Sequence, residues 1–226
     1  MKKRILLKIG SNTLTKETDQ ISRGKIEDIA RQIAKLKNDH EFIIVSSGAI
    51  AAAKQFVKLE HNGKEITVKQ ALAAIGQPHL MRIYQENFRE LGLFTSQCLL
   101  SYSDFEKPES KENIKNTINV LVENNFVPII NENDVVSVSE LMFTDNDELS
   151  GLVASMMNVE SLFLLTNVDG IFTAHPKEKN AKLIRTFEEG TIDLEHAVSD
   201  VKSEFGRGGM YSKATTAQEI ANLGID

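Results

Sequence analysis

The sequence predicts an α/β domain in which helices cover both faces of a parallel sheet. Short apolar segments alternate along the chain with longer segments whose apolar residues recur at helical spacing. The short segments are apolar over most of their length, which is typical of strands buried on both faces of a parallel sheet. The chain has 226 residues, 41% of them hydrophobic and 26% charged, which suits one large globular domain or two small ones.

Five short segments predict strands, and the segments between and after them predict helices. The strands are Arg4–Ile9, Phe42–Val45, Leu93–Leu100, Phe126–Ile130 and Ser161–Thr166. The helices are Ser22–Asn38, Ala49–Phe56, Lys69–Leu91, Glu109–Asn124, Asp145–Met157 and a last one from Tyr211 or Ser212 to Asn222. In the first of these helices the isoleucines share one face, and Ser22 is a candidate N-cap.

Charge and composition exclude several classes of protein. A formal net charge of −6 argues against a nucleic-acid partner, because phosphate-backbone binders usually carry a basic excess. No stretch approaches 18 consecutive apolar residues, so no membrane span is expected, and the first 13 residues lack the apolar core of a signal peptide. The single cysteine, Cys98, excludes an intrachain disulfide and fits a reducing cytoplasm, and the five scattered histidines argue against structural zinc.

Polar or small residues follow four of the predicted strands. They lie in the segments 8–11, 46–48, 131–134 and 166–170, which span or follow the strand ends and are mostly polar, small or charged. In open parallel sheets, ligands bind beyond the carboxyl ends of the strands. Any one of these segments alone is a common loop, but the four together predict one ligand site at this edge of the sheet.

The stretch from Ile130 to Ser150 carries six acidic residues and no Lys, Arg or His. Such a stretch indicates a metal site, a site for a cationic ligand, or a solvated loop. A calcium-binding EF-hand loop starting at Asp145 is excluded, because Leu149 and Met156 stand where ligands are required. A solvated hairpin over Val136–Phe143, which would include Glu140, remains an alternative, as does simple capping by the acids that start the next helix.

Three further features have both a functional and a structural interpretation. Lys8 lies in an apolar strand, where its ammonium group either points into the ligand crevice or reaches solvent along its stem. The segment Val45–Ile50 joins a strand to a helix through small residues, which suits either an anion site or a tight packing turn. The segment Gly206–Lys213, GRGGMYSK, is either a phosphate-binding entry to a helix or a surface loop, and it matches neither a P-loop nor GxGxxG.

Taken together and in this order, these segments resemble the amino acid kinase family. The matching segments are KIGSNTL (Lys8–Leu14), VSSGAIAAA (Val45–Ala53), QALAAIGQPHLM (Gln70–Met81), VPIINENDVV (Val127–Val136), TDNDELSGLVA (Thr144–Ala154), LLTNVDGIFTAHP (Leu164–Pro176) and GRGGMYSK (Gly206–Lys213). Within the family, the chain looks like the branch that phosphorylates the side-chain carboxylate of L-glutamate with Mg·ATP, at the first step of proline biosynthesis. The resemblance implies a three-layer αβα sandwich with a mostly parallel central sheet.

The resemblance also implies roles for individual residues. Glutamate would contact Ser47, Asp134 and Asn146. Nucleotide would contact Lys8, Thr166, Asn167, Arg207, Gly208, Gly209, Met210, Tyr211, Ser212 and Lys213. Lys8 and Lys213 would stabilise the transferring phosphoryl group and Asp147 would organise these two lysines, while Mg²⁺ would be carried by ATP rather than by a protein ligand.

The expected organisation is a single amino acid kinase domain over residues 1–226. Its amino-acid site would lie within about residues 1–158, and its nucleotide site within about 159–226, where the chain is expected to be shortened and to lack a C-terminal PUA domain. Asn167 and Arg207 depart from the pattern of many relatives, which carry Asp and Thr there. The resemblance further implies a cytoplasmic homo-oligomer that proline inhibits. A kinase of another carboxylate acceptor, such as aspartate or acetylglutamate, a non-catalytic sensing module and an acidic metal-binding protein are the alternatives.

Overall fold

A five-stranded parallel sheet forms the centre of the computed structural model, which describes residues 2–15, 20–60, 65–137, 146–173, 181–186 and 210–226. The strands are β1 (Lys3–Ile9), β2 (His40–Ser46), β3 (Phe94–Leu100), β4 (Phe126–Glu132) and β5 (Ser161–Leu165), in the order β3-β4-β2-β1-β5. A short antiparallel pair, β6 (Ile171–Phe172) and β7 (Leu183–Ile184), lies apart from this sheet. The predicted α/β class and the parallel central sheet are confirmed.

Helices cover both faces of the sheet. One face packs against α2 (Arg23–Leu36), α3 (Ala49–Lys54) and α4 (Glu65–Arg89), and the short α1 (Ser11–Leu14) follows β1. The opposite face packs against α6 (Pro108–Glu123), α7 (Asn146–Met157) and α8 (Met210–Ala221), with the short α5 (Tyr102–Glu106) preceding α6. Each layer has its own buried apolar cluster, so the predicted three-layer αβα sandwich is confirmed.

Alternation of side chains along β1 decides which layer each residue meets. Successive side chains of a strand point to opposite faces. Leu6 belongs to the cluster under α6, α7 and α8, whereas Ile9 belongs to the cluster under α2 and α4. Lys8 shares the face of Leu6, and it therefore points towards the layer that contains α7.

The strand order creates a topological switch point at β1. From β1 the chain moves to β2 on one side, and after β4 it crosses to β5 on the other side of β1. The connections therefore diverge at the carboxyl end of β1, which opens a crevice there. The four polar segments of the sequence lie along this carboxyl edge of the sheet.

Two glycines let helices approach closely on either side of the crevice. A Cβ at Gly76 of α4 would lie 1.8 Å from the carbonyl oxygen of Ala49, so only glycine permits this contact between α3 and α4. A Cβ at Gly151 of α7 would lie 3.0 Å from Cγ2 of Thr216 in α8.

Beyond the end of α8, the backbone of Asp226 accepts from the N–H of Leu162 and donates to the carbonyl oxygen of Glu160, which ties this segment to the outer edge of β5.

Several element bounds differ from the sequence-based expectations. β4 continues past Ile130 to Glu132, because Asn131 and Glu132 still pair with Leu99 and Leu100 of β3. The helix expected from Lys69 begins at Glu65, whose carboxylate forms an i,i+4 ion pair with the ammonium group of Lys69.

The structure also bears on the predicted cap at Ser22 and on the predicted hairpin over Val136–Phe143. Ser22 caps α2 as predicted, accepting a hydrogen bond from the backbone N–H of Lys25. Val136 lies in a turn, so the described part of the predicted hairpin is not a strand, and Glu140 with residues 138–143 lies outside the described residues. Within the described part of the chain, no helix combines the length and the apolar character that a membrane crossing requires.

Candidate active site

Lys8, Asp147 and Lys213 form an ionic triad at the carboxyl end of β1, in which Lys8 and Asp147 are buried and Lys213 is partly exposed. Both oxygens of the Asp147 carboxylate are engaged: Oδ1 faces the Nζ of Lys8, and Oδ2 accepts a hydrogen bond of 2.8 Å from the Nζ of Lys213. Asp147 is fully buried, and the side chain of Lys8 is only 4% exposed. The structure thus brings together three residues that lie far apart in sequence.

Each member of the triad is delivered by a different element. Lys8 comes from β1, Asp147 from the first turn of α7, and Lys213 from the first turn of α8. Two ammonium groups share one carboxylate, so the triad carries an excess positive charge that an anion can neutralise. This geometry favours the ligand-crevice interpretation of Lys8 over snorkelling to solvent.

Ser47 and Asn146 meet across the crevice beside this triad. The side-chain amide of Asn146 donates to the hydroxyl oxygen of Ser47 at 2.8 Å and to Oδ1 of Asn131 at 2.9 Å. Both N–H groups of the Asn146 amide are thereby used, so towards further partners this side chain offers its carbonyl oxygen. Ser47 accepts one of these bonds and keeps its own hydroxyl proton to donate.

The backbone around Ser47 explains how β2 delivers this hydroxyl to the crevice. The N–H of Ser47 donates to the carbonyl oxygen of Ile9 at 3.0 Å, which ties the ends of β1 and β2 together. Gly48 then has φ of +112°, a conformation that a side chain disfavours, and α3 begins at the next residue. Ser46 is buried and hydrogen-bonded to Tyr84, and burial raises the pKa of the Tyr84 hydroxyl.

Asp134 lies just beyond the carboxyl end of β4. It lines a cleft of about 240 Å³ together with Gln77, Glu132 and residues of β3. Glu132 is itself buried. The cleft adjoins the pair of Ser47 and Asn146, because Gln77 is hydrogen-bonded to Asn131, which in turn contacts Asn146.

The remaining predicted site residues lie on the other side of β1 or outside the described residues. Thr166 and Asn167 follow β5, where the hydroxyl of Thr166 accepts a hydrogen bond from the backbone N–H of Val168 and Asn167 is exposed. Met210, Tyr211 and Ser212 form the first turn of α8 next to Lys213. Arg207, Gly208 and Gly209 lie outside the described residues, as does Asp145.

The side chains around the crevice decide how a divalent cation could be held there. Within the described ranges no group of three His, Cys, Asp or Glu residues has the arrangement of a metal site. Asp147, the carboxylate at the centre of the crevice, already directs both oxygens to lysines. Among the described residues, the Asp147 carboxylate is therefore engaged with ammonium groups rather than placed as a ligand for a cation.

Comparison with known proteins identifies the family. The model of the amino acid kinase family matches residues 3–226, nearly the whole chain. The chain belongs to the amino acid kinase family. A glutamate 5-kinase of Bacteroides thetaiotaomicron is 41% identical over 223 residues, which cover 98% of this chain and 62% of that protein. Glutamate 5-kinases of Chlorobaculum tepidum and Caldanaerobacter subterraneus are 38% and 40% identical, and the chain spans about 60% of the length of these relatives.

A solved structure of another amino acid kinase supports the fold. Carbamate kinase from Giardia lamblia bound to AMP-PNP superposes with a TM-score of 0.65, covering 98% of this chain and 89% of that one. The sequence identity is 17%, so this likeness shows the shared amino acid kinase fold alone.

Two residues that the structure places in the site receive no individual role from the sequence, although Asn131 belongs to one of the four polar segments. Asn131 lies at the end of β4 and contacts Asn146, and Gln77 of α4 contacts Asn131. A signal for Gln77 is present, since it is a large polar residue between Gly76 and Leu80 on the buried face of an amphipathic helix. A polar side chain at such a position needs a hydrogen-bond partner, and here the partner is Asn131.

Proposed function

We propose that this protein phosphorylates the side-chain carboxylate of L-glutamate with Mg·ATP, forming L-glutamyl 5-phosphate for proline biosynthesis. The observation that carries the proposal is the triad of Lys8, Asp147 and Lys213 beside the polar pair of Ser47 and Asn146. The similarity to proteins named glutamate 5-kinase supports the choice of acceptor.

The acceptor chemistry explains why no general base is needed. A glutamate side chain has a pKa of about 4.3 and is already ionised at neutral pH. The difficulty is electrostatic, because an anionic nucleophile must approach an anionic γ-phosphate. Phosphoryl transfer is catalysed mainly by positioning and by cations on the transferring group.

Lys8 and Lys213 are the proposed cations. Each ends in a compact ammonium group that suits contact with phosphoryl oxygens. In the ligand-free state, Asp147 holds the two ammonium groups near one point and offsets their mutual repulsion. When the γ-phosphoryl group arrives, the same arrangement offers it two converging donors without a large rearrangement.

The acceptor site is proposed to recognise both charged ends of an amino acid. The hydroxyl proton of Ser47 suits a carboxylate, and the carbonyl oxygen of Asn146 suits an ammonium group. Asp134 is proposed to supply the counter-charge for the α-ammonium group. A ligand with both charges fits this combination better than a simple dicarboxylate does.

The nucleotide is proposed to bind on the β5 side of the crevice. Thr166, Asn167 and the segment 207–213 would contact it, and Mg²⁺ would arrive on its phosphates and partly neutralise them. A cytoplasmic homo-oligomer and inhibition by proline also belong to the proposal. Size-exclusion chromatography with light scattering, and activity measured against proline concentration, test the oligomeric state and the inhibition.

The decisive experiment measures ADP release with L-glutamate, ATP and Mg²⁺, and traps the acyl phosphate with hydroxylamine as a hydroxamate. Glutamate-dependent hydroxamate formation is expected. Formation with aspartate or N-acetylglutamate instead would assign another acceptor, and tight binding of glutamate and nucleotide without turnover would indicate a sensing module. No glutamate-dependent product overturns the proposal.

A further inference from the structure

A chain of side-chain amides runs from the outer strand β3 to the acceptor site. Gln77 donates from Nε2 to Oε1 of Gln97 at 3.2 Å, and Asn131 donates from Nδ2 to Oε1 of Gln77 at 2.9 Å. Asn146 then donates to Oδ1 of Asn131, and also to Ser47. In every link the amide nearer the site donates to the one farther away.

One backbone group fixes the direction of this amide chain. The backbone N–H of Glu132 donates to Oδ1 of Asn131 at 2.9 Å, and an N–H can only donate. The side of Asn131 that faces Glu132 and Asn146 must therefore be its oxygen, and the side that faces Gln77 must be its NH₂ group. Gln77 has to present an oxygen to Asn131, and this leaves its own NH₂ group facing Gln97.

Burial makes the hydrogen bond between Gln77 and Asn131 costly to lose. Gln77 is 7% exposed and Asn131 is 3% exposed, so losing the hydrogen bond between them leaves a largely buried polar group unsatisfied. Gln97, at the far end, is exposed and can rotate its amide to suit a different neighbour. The hydrogen bond between Gln77 and Asn131 therefore fixes the orientation of the Asn131 amide, whereas the Gln97 amide can turn to match the group that position 77 presents.

We propose that Gln77 is a positioning residue of the acceptor site, which fixes the orientation of the Asn131 side-chain amide. In that orientation Asn146 presents its carbonyl oxygen to the amino acid, and Ser47 presents its hydroxyl proton. This inference rests on the proposed function and extends it to a residue that does not itself need to touch the ligand. The requirement placed on position 77 is a hydrogen-bond acceptor directed at Asn131.

Two substitutions at this position separate positioning from packing. Gln77→Glu keeps an oxygen towards Asn131, and Gln97 can turn its NH₂ group towards the new carboxylate. Gln77→Met keeps the length and much of the volume of the side chain but removes the acceptor. A residue that served only packing would tolerate Met and suffer from a buried carboxylate, whereas a positioning residue gives the opposite order.

The kinetic test compares kcat and the glutamate KM of wild type, Gln77→Glu and Gln77→Met. Gln77→Met is expected to raise the glutamate KM about tenfold or more, with the ATP KM unchanged, and Gln77→Glu to retain a KM closer to wild type. Gln85→Met, on the exposed face of the same helix, is the matched control and should behave as wild type. A wild-type glutamate KM in Gln77→Met, or a larger defect in Gln77→Glu than in Gln77→Met, overturns the proposal.

A measurement without turnover keeps this test separate from that of the proposed function. In NMR spectra of the ligand-free protein, the side-chain NH₂ resonances of Asn131 and Asn146 should shift or broaden in Gln77→Met and stay near their wild-type positions in Gln97→Met. Unchanged resonances in Gln77→Met overturn the positioning role. An inactive wild-type enzyme, by contrast, contradicts only the glutamate kinase activity.

Discussion

At the scale of single residues, the burial of Asp147 decides what its contacts with Lys8 and Lys213 are worth. Removing one partner from a buried ionic group typically costs about 3–5 kcal/mol, because the remaining charge is left without compensation. Asp147→Asn preserves the shape and is therefore expected to lower the free energy of unfolding by about 3 kcal/mol in urea titrations. The double variant with Lys8→Met should lose less than the sum of the two single losses, and strict additivity would show that the two side chains are not coupled.

The two lysines should be distinguished from ordinary surface cations by kinetics. Lys8→Met and Lys213→Met are each expected to lower kcat by about 100-fold, since each removes an ammonium group proposed to contact the transferring phosphoryl group. The glutamate KM should change little, because this contact is strongest in the transition state. Lys35→Met, on the exposed side of α2, is the control. An unchanged kcat in both Lys8→Met and Lys213→Met removes the phosphoryl-clamp assignment.

Asp134 is expected to act in binding rather than in transfer. Asp134→Asn keeps the size of the side chain and removes the negative charge proposed to face the α-ammonium group. The glutamate KM should rise about tenfold while kcat stays within a small factor of wild type. The exposed Glu123→Gln controls for a general loss of negative charge. A loss confined to kcat contradicts the ammonium-pairing role.

Residue chemistry accounts for how much of the site can be predicted. A lysine in an apolar strand is a visible exception in a sequence, so Lys8 is predicted from its position together with the family resemblance. An acid at a helix start is common, and the role of Asp147 is predicted from the resemblance. Asn131 and Gln77 receive no individual role from the sequence, because the hydrogen bond between them joins residues 54 positions apart. No spacing rule links a helix residue to a strand residue at that separation, and only the packing of α4 on the sheet brings them together.

At the scale of elements, the packing of α8 against α7 determines the distance between the side chains of Lys213 and Asp147. A Cβ at Gly151 would lie 3.0 Å from Cγ2 of Thr216 and 3.6 Å from Ile220. Gly151→Ala is expected to displace α8 and lower kcat about tenfold, since sub-ångström errors at reacting groups are costly. Adding Thr216→Ser removes the clashing methyl group and should restore kcat.

A matched glycine separates this packing effect from helix propensity. Alanine in a helix is favoured over glycine by about 1 kcal/mol, so Gly→Ala without a clash should stabilise. Gly24 lies in α2, where an added Cβ would meet only the hydroxyl oxygen of Ser22, at 4.0 Å, and Gly24→Ala should leave kcat unchanged. Equal kcat values for Gly151→Ala and wild type would show that α8 accommodates the methyl group without moving Lys213.

Helices and strands with a clear local pattern are predicted from the sequence, whereas the ends of an element that is extended by tertiary contacts are not. The five main strands follow from their apolar runs, whereas the extension of β4 through Asn131 and Glu132 comes from pairing with β3. The short α1 and α5 escape prediction because four or five residues carry too little periodicity to recognise. The pair β6 and β7 escapes it for the same reason, with two residues in each strand.

At the scale of the whole molecule, the triad is positively charged although the protein as a whole is negatively charged. The formal net charge is −6, yet the triad joins two ammonium groups to one carboxylate at the focus of the sheet's carboxyl edge. Acidic groups at Glu132 and Asp134 lie on the acceptor side of this focus. The arrangement thus separates a local positive centre, which suits the proposed phosphate contact, from a negative region, which suits the proposed ammonium contact, within a molecule of negative net charge.

This separation predicts that anion binding stabilises the fold through the triad. A ligand present at ten times its dissociation constant adds about 1.4 kcal/mol to the free energy of unfolding, which corresponds to about 4 °C in Tm for a chain of this size. Mg·AMP-PNP is expected to raise Tm by that amount in wild type. In Lys213→Met the triad loses its excess positive charge, so the shift should largely disappear at the same concentration, whereas Lys35→Met should retain it. Because the measurement needs no turnover, an undiminished shift in Lys213→Met would show that nucleotide binds away from the triad, whatever the acceptor proves to be.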